Sequence, residues 1–278
     1  MPRLTNIVVP LDFSQVSDAA LTRAIALGKA CGATLHLVHA ILPFDLSGFR
    51  HEFSTSLDHS DWARIHERAK ADLEAAAGKV KAEGVPVTQT LVEDAPVAAI
   101  EAAYQAKEGD MIVMGTHGFS GIKHLVLGSI AEKTLRTIHA PVFCVKNAEA
   151  SQTKPIRRVL VATDFSDPAA QAADFGVGLA KDLSASVELV HAVYSPNTAV
   201  APYGVPLSAD YLLAVRNAAR GQIEELRDNL KREGVTIDVF VHDGDATNVI
   251  CERAKASEAD LIVMGTHGYT GLKHVLFG

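Results

Sequence analysis

The amino-acid sequence predicts an α/β fold of two tandem domains, each a parallel β-sheet with helices on both faces. Two observations support this. Short apolar segments alternate with longer amphipathic segments, which is typical of right-handed strand–helix–strand units. The second half of the chain also repeats the first, since residues 111–128 and 261–278 are identical at 11 of 18 positions.

The repeat has the length of a whole domain. Residues 8–14 return as residues 160–166, and the repeat therefore exceeds the period of about 20 to 50 residues found in solenoids. Near residues 148–155 polar residues and a proline interrupt the apolar pattern. We therefore predict one domain over residues 1–147 and a second over residues 156–278.

Local signals predict the elements of the first domain in order. The apolar run Ile7 to Val9 predicts a buried strand that stops at Pro10. Ser14 is a predicted N-cap for an alanine-rich helix that ends near Gly32. Further strands are predicted at 34–39, 85–92, 111–114 and 141–145, and further helices at 62–80, 96–107 and 129–138.

A glycine-rich segment follows the fourth predicted strand. Gly115, Gly118 and Gly128 have the spacing G-x2-G-x9-G, and Ser129 comes next. Glycine permits positive φ or a close approach to a ligand, and a loop that opens a helix offers N–H groups to phosphate. Ser129 is expected to cap that helix and to donate its hydroxyl. The alternative is a tight, glycine-rich connection without a ligand.

The expected topology brings this segment close to Asp12. Parallel α/β sheets bind ligands at the carboxyl ends of strands, where the strand order reverses. If the first and fourth strands are neighbours, Asp12 and Gly115 face one crevice. The sequence therefore predicts a nucleotide site there.

Composition excludes other classes of function. The net charge of −7 argues against a surface that coats nucleic acid. Cys31, Cys144 and Cys251 lie in apolar segments without a C-x-x-C pair, which predicts buried thiols in a reducing compartment. The start of the chain lacks a signal-peptide pattern, and no apolar run reaches the roughly 18 residues of a membrane span, so we expect a soluble cytoplasmic protein without a membrane partner.

The segment at residues 10–14, the Met-Gly-Thr-His-Gly sequence at 114–118 and the later glycines resemble the universal stress protein family in its tandem form. The resemblance covers essentially the whole chain. It implies Rossmann-like domains of the adenine nucleotide alpha hydrolase type, with strand order 3-2-1-4-5. It also implies binding of ATP with Mg, and no metal site formed by the protein alone.

The family pattern implies specific contacts with the nucleotide. Residues of the first two strands would hold the adenine, and Asp12 would lie by the ribose or the metal-bound phosphates. The last glycines and the serine would hold the phosphates. The implied contacts are Pro10, Leu11, Asp12, Ala40, Met114, Gly115, Gly118, Gly128 and Ser129.

The second copy departs from this pattern. Ala162 replaces Pro10, and the sequence stops at Gly278, before the hydroxyl residue, the last helix and the fifth strand. We expect a four-stranded second sheet and an impaired second site, with the open edge of the first sheet pairing in a homodimer. The matching residues are Asp164, Ala192, Met264, Gly265, Gly268 and Gly278.

Three functions stay open from the sequence. The first is an ATP-binding regulatory module of the stress response. The second is an enzyme, either a slow ATPase or an adenylate-forming catalyst, although the chain has neither a Ser-Gly-Gly loop after its first strand nor a HIGH sequence. The third is a scaffold that binds a protein or a lipid-like ligand without nucleotide, and the intact glycines argue against it.

Overall fold

The computed structural model describes residues 4–42, 59–116, 127–146, 154–193 and 208–266. These residues fall into two compact units, one holding Leu4–Lys154 and the other holding the chain from Pro155 onward. We call them domain 1 and domain 2.

Domain 1 is a five-stranded parallel sheet with the strand order β3-β2-β1-β4-β5. Both the alternation of strands and helices and this order confirm the prediction. The elements are β1 (Asn6–Pro10), α1 (Gln15–Cys31), β2 (Thr34–Ile41), α2 (His59–Ala82), β3 (Val87–Glu93), α3 (Pro96–Ala106), β4 (Met111–Gly115), α4 (Ser129–Thr137) and β5 (Val142–Val145).

Domain 2 repeats this arrangement as far as its fourth strand. Its sheet has the order β8-β7-β6-β9, so within the described residues the predicted loss of the last strand is confirmed. The elements are β6 (Arg158–Ala162), α5 (Asp167–Leu183), β7 (Ser186–Val193), α6 (Ala209–Leu230), β8 (Ile237–Asp243), α7 (Ala246–Ala256) and β9 (Leu261–Val263).

The central strands are apolar because helices cover both faces of each sheet. In domain 1 one buried cluster joins Val8 of β1, Val38 of β2 and Ile112 of β4 to the inner face of α3. In domain 2 the corresponding cluster contains Leu160 and Val190. Burial of this apolar surface stabilises each sheet and fixes the positions of the strand ends.

Both domains start their first helix in the same way. The Ser14 hydroxyl caps α1 by accepting a hydrogen bond from the Ser17 N–H at 3.2 Å, and Ser166 caps α5 at the matching place. The helices end at Gly32 and Ser184, which both have left-handed backbones with φ of 72° and 55°. The predicted N-cap at Ser14 is confirmed.

An aspartate ties the start of the fourth strand to the start of the first. The Asp110 carboxylate accepts hydrogen bonds from the N–H groups of Thr5 (2.7 Å) and Asn6 (2.8 Å). In domain 2, Asp260 accepts from the N–H groups of Arg157 and Arg158 at 2.8 and 3.0 Å. This contact sets β1 beside β4 and so brings their carboxyl ends together.

The prediction for the cysteines is wrong at two of three positions. Cys31 is buried, but Cys144 on β5 and Cys251 on α7 are exposed. Both lie on elements that have an open face, which an apolar segment alone does not reveal. Among the described helices, none combines the length and apolar character needed to cross a membrane.

Candidate functional site: a cleft at the ends of β1 and β4

Domain 1 contains a cleft of about 200 Å³ at the carboxyl ends of its central strands. It lies where the sequence analysis expects the crevice, with Asp12 and Gly115 both on its wall. The implied contacts that line it are Pro10, Leu11, Asp12, Ala40, Met114, Gly115, Gly128 and Ser129. Gly118 lies outside the described residues.

One part of the cleft is apolar. Val38 and Met114 contribute buried side chains, which are 3% and 4% exposed, and Ile100 of α3 lines the same cleft. The Leu11 N–H donates to the Val38 carbonyl at 2.9 Å, which continues the β1–β2 pairing beyond the last residue of β1. The result is a rigid, largely apolar wall of the kind that suits a planar ring.

The loop between β1 and α1 presents Asp12. Its carboxylate accepts a hydrogen bond from the Ser14 N–H at 3.0 Å, while its own N–H donates to the Ser17 hydroxyl at 3.2 Å. Phe13 between them has a φ of 63°. A left-handed conformation costs a residue with a side chain about 1–2 kcal/mol, so the surrounding contacts must hold this turn.

The opposite wall of the cleft is the start of α4. Gly128 is the N-cap residue, with a φ of −75° and no side-chain capping bond, and its N–H donates to the Thr116 carbonyl at 2.6 Å. Ser129 is the first residue of the helix and is exposed. The prediction that Ser129 caps α4 is therefore wrong, because the cap is Gly128 and Ser129 is already the first residue of the helix.

The start of α4 carries a partial positive charge. The first N–H groups of a helix have no partner within it, and they carry roughly half a positive charge. Gly128, Ser129, Ile130 and Ala131 all line the cleft, so this turn is open to a ligand. The backbone angles of Gly128 are ones that other residues also adopt, so its conformation does not require glycine.

Gly115 is small for a reason other than a ligand. A Cβ atom at this position would lie 3.0 Å from Cγ1 of Val16 and 3.1 Å from its carbonyl carbon. The first turn of α1 therefore packs directly on the end of β4. A ligand contact or a positive φ is what the sequence predicts for this glycine, and the packing of Val16 is the reason that the structure provides.

Charge is sparse around the described part of the cleft. Asp12 is the one carboxylate among its described lining residues, which include neither lysine nor arginine. In the described ranges no group of three or more His, Cys, Asp or Glu side chains is placed to hold a metal ion. A cation near Asp12 would therefore need ligands from a bound molecule or from water.

His39 is a cleft residue that the sequence analysis missed. Its Nδ1 lies 2.6 Å from the Leu11 carbonyl oxygen, and its ring centroid lies 4.5 Å from that of Phe13. The signal was present, because the Leu-Val-His-Ala sequence of β2 recurs in β7 with His191.

Domain 2 repeats the first half of this site. The Asp164 carboxylate accepts from the Ser166 N–H at 3.0 Å, and Phe165 has a φ of 65°. Nδ1 of His191 lies 2.8 Å from the Thr163 carbonyl oxygen. The β6–α5 loop therefore has the same shape as its counterpart in domain 1.

The second half of the site in domain 2 differs. Met264 is 51% exposed, whereas Met114 is 4% exposed. Ala192 packs against the buried cluster around Leu160, and Gly265 directly follows Met264 after the end of β9. Gly268 and Gly278 lie outside the described residues.

The duplicated loop, the sheet order and the cleft agree with one known family. The model of the universal stress protein family matches residues 4–146 and again residues 155–278. The chain belongs to the universal stress protein family. The two matches also confirm the tandem form that the sequence resemblance implies.

Individual relatives agree with this assignment. A universal stress protein of Methanocaldococcus jannaschii is 34% identical over 145 residues, which is 51% of this chain and 81% of the relative. A universal stress protein E homolog of Haemophilus influenzae is 26% identical over 292 residues, with 99% of this chain and 92% of the relative covered. A crystal structure of a universal stress protein from Archaeoglobus fulgidus shares the fold, with a TM-score of 0.69 and 22% identity over 94% of this chain and 86% of that one.

Proposed function

We propose that this universal stress protein binds an adenine nucleotide, ATP with Mg, in the cleft of domain 1 and acts as a nucleotide-dependent regulatory module. The observation that carries the proposal is the pairing of an apolar wall with the open first turn of α4 in one cleft. A ligand that fits both must combine a flat apolar group with an anionic group.

The phosphates are assigned to the start of α4. Its first N–H groups line the cleft, and the helix dipole favours anions at this end. Ser129 adds a hydroxyl that can donate to a phosphate oxygen. Gly128 leaves the space that a phosphate needs beside the N-cap.

The adenine is assigned to the wall formed by the ends of β1 and β2. Leu11 and Val38 are buried there, and Ala40 is half-buried at the rim. Contacts of this kind, through backbone groups and small side chains, suit a planar base. Asp12 then lies between the adenine and the phosphates of the nucleotide, where it can accept a hydrogen bond from a ribose hydroxyl or face Mg held by the phosphates.

Domain 2 is proposed to bind nucleotide weakly or not at all. It has the loop that carries Asp164, but Met264 is half-exposed where Met114 is buried.

We also propose that the β5 edge at Val142–Val145 pairs with a second copy, because an open strand edge is a template for pairing. The protein is further proposed to work in the cytoplasm.

The test is a calorimetric titration of the purified chain with Mg-ATP, with Asp12→Asn and its domain 2 counterpart Asp164→Asn. The Asn side chain keeps an oxygen for the Ser14 N–H but removes the charge. We expect one site per chain, with binding weakened about tenfold by Asp12→Asn, as for one charged hydrogen bond, and unchanged by Asp164→Asn.

A third variant, Gly128→Val, tests the phosphate position. The residue has an ordinary backbone conformation, so the valine is expected to fold without strain and to block the ligand. Two equal sites per chain would overturn the proposal for domain 2, and absence of binding by the wild-type chain would overturn the proposed function. Release of phosphate from ATP at many turnovers per minute would favour the alternative of an ATPase.

A further inference from the structure

Both domains hold a phenylalanine in a strained turn beside the same histidine. Phe13 and Phe165 have φ angles of 63° and 65°. Their rings lie 4.5 and 4.4 Å from those of His39 and His191. Residues with left-handed backbones persist where their surroundings hold them, and they cluster at ligand sites.

The histidine also binds the backbone of this turn. A carbonyl oxygen only accepts hydrogen bonds, so Nδ1 of His39 carries the proton that it donates to Leu11. The Leu11 N–H meanwhile donates to Val38, the residue before His39, at 2.9 Å. Both polar backbone groups of the residue that precedes Asp12 are therefore bonded to β2.

Domain 2 makes the same pair of bonds. The Thr163 N–H donates to Val190 at 2.9 Å, and Nδ1 of His191 lies 2.8 Å from the Thr163 oxygen. Other hydrogen bonds that hold the loop differ between the domains. Ser17 accepts from the Asp12 N–H in domain 1, whereas in domain 2 the Thr163 hydroxyl accepts from the Phe165 N–H. The histidine is thus a side-chain contact of the loop that both domains share, together with the aspartate carboxylate that accepts from the serine N–H.

We propose that His39 is a positioning residue of the nucleotide site, which fixes the β1–α1 loop in the left-handed turn that carries Asp12 into the cleft. This proposal rests on the proposed binding of nucleotide in domain 1. His39 acts through two contacts: the hydrogen bond from Nδ1 to Leu11 and the ring contact with Phe13. The hydrogen bond sets the direction of the chain, and the ring covers the strained residue.

The two contacts are separated by a pair of substitutions of similar polarity. In His39→Asn the side-chain NH2 group occupies the position of Nδ1, so the bond to Leu11 is kept. In His39→Gln the NH2 group lies one bond further out, in the position of Nε2, and the bond is lost. His191→Gln is the matched control, because it makes the same change in domain 2.

The experiment measures Mg-ATP affinity by calorimetry and thermal unfolding by circular dichroism for all four proteins. We expect His39→Gln to weaken binding about tenfold, the effect of one lost, partly buried hydrogen bond, and His39→Asn to change it less than about threefold. His191→Gln is expected to leave affinity unchanged. The wild-type titration separates the two proposals, since a wild-type chain that fails to bind overturns the proposed function itself.

Several results would overturn the role of His39. Equal affinity of the Asn and Gln variants would show that the Nδ1 hydrogen bond does not position the loop. A parallel fall in affinity and melting temperature in both variants would assign His39 to general packing. If the Gln variant does not fold, full binding by the Asn variant supports the proposal, and loss of binding by a well-folded Asn variant contradicts it.

Discussion

The two domains begin alike and end differently. The loops after β1 and β6 agree in their φ angles and in their histidine contacts, although residues 8–14 and 160–166 differ at three of seven positions, where Leu160, Ala162 and Thr163 replace Val8, Pro10 and Leu11. The fourth strands do not agree. Ile112 of β4 is fully buried, whereas Ile262 of β9 is 41% exposed.

This contrast separates what is encoded locally from what depends on neighbours. The first loop needs only the end of a strand, the N-cap of the next helix and one histidine, and both copies contain these. The fourth strand needs cover on its outer side. In domain 1, β4 pairs with β5, while β9 pairs with β6 alone among the described strands.

A second contrast lies at the other end of the sheets. In domain 1 the ring of His36 lies 2.7 Å from the Thr88 hydroxyl and 2.9 Å from the Asn6 side-chain oxygen. In domain 2 the matching residue is Glu188, which pairs with the Arg253 guanidinium. The same buried position therefore holds a histidine hydrogen-bonded to uncharged side chains in domain 1 and an ion pair in domain 2.

The largest expected effect tests the cover of the fourth strand. Ile112→Ala removes a fully buried side chain and is expected to destabilise domain 1 by about 2–5 kcal/mol, while Ile262→Ala is expected to cost domain 2 less than about 1 kcal/mol. Hydrogen exchange resolved by peptide measures both, because it reports each domain separately. Equal losses would mean that β9 is covered in solution, and the contrast would then fail.

A smaller effect tests the buried network. Burial, with a contribution from Lys107, lowers the pKa of His36 below its ordinary 6.5. The unfolded chain then takes up the proton first as pH falls. The contribution of His36 to the stability of domain 1 is therefore complete above pH 6.5, and it decreases below that pH until the pH passes the folded pKa. The denaturant midpoint, followed by the emission wavelength of the single tryptophan Trp62 in α2, measures this loss.

The control for this measurement is His36→Gln, which keeps polar atoms in place without a group that titrates near neutral pH. Its midpoint should change less between pH 7 and pH 5 than that of the wild type. A wild-type midpoint that stays constant over this range would show that His36 takes up its proton equally well in the folded domain.

The smallest effect tests the hydrogen bonds that differ between the β1–α1 loop and the β6–α5 loop. Ser17→Ala gives domain 1 the residue that domain 2 has at Ala169 and removes the bond to the Asp12 N–H. We expect a loss of about 1 kcal/mol in the stability of domain 1, and binding of Mg-ATP that weakens less than about threefold. A loss of affinity as large as that expected for His39→Gln would mean that Ser17 positions the loop as strongly as His39 does.

Much of the fold followed from local sequence signals. The alternation of strands and helices, the N-cap at Ser14 and the four strands of the second sheet were all predicted, because each depends on a short segment or on the repeat. The strand order came from the family resemblance. The cysteines were misjudged because the exposure of Cys144 and Cys251 depends on which faces the fold leaves open.

The site was predicted less completely. Motif residues such as Asp12 and Gly128 were found because they stand out by type and spacing. His39 was missed because its role depends on a contact between β2 and the loop after β1, which the recurrence of the Leu-Val-His-Ala sequence indicates but does not specify. The cap of α4 was misplaced by one residue, since Gly128 and Ser129 are both acceptable N-cap residues and residue type alone does not distinguish them.

The contact between Gly115 and Val16 has an evolutionary consequence. A Cβ atom at position 115 would meet both the side chain and the backbone of residue 16, so a residue larger than glycine at 115 needs the first turn of α1 to move. In related chains we expect a larger residue at 115 to occur only with a displaced first helix, because the backbone of residue 16 makes the contact whatever its side chain is. Position 115 should therefore change rarely among related chains, whereas residue 16 can vary, as Pro168 does at the matching place in domain 2.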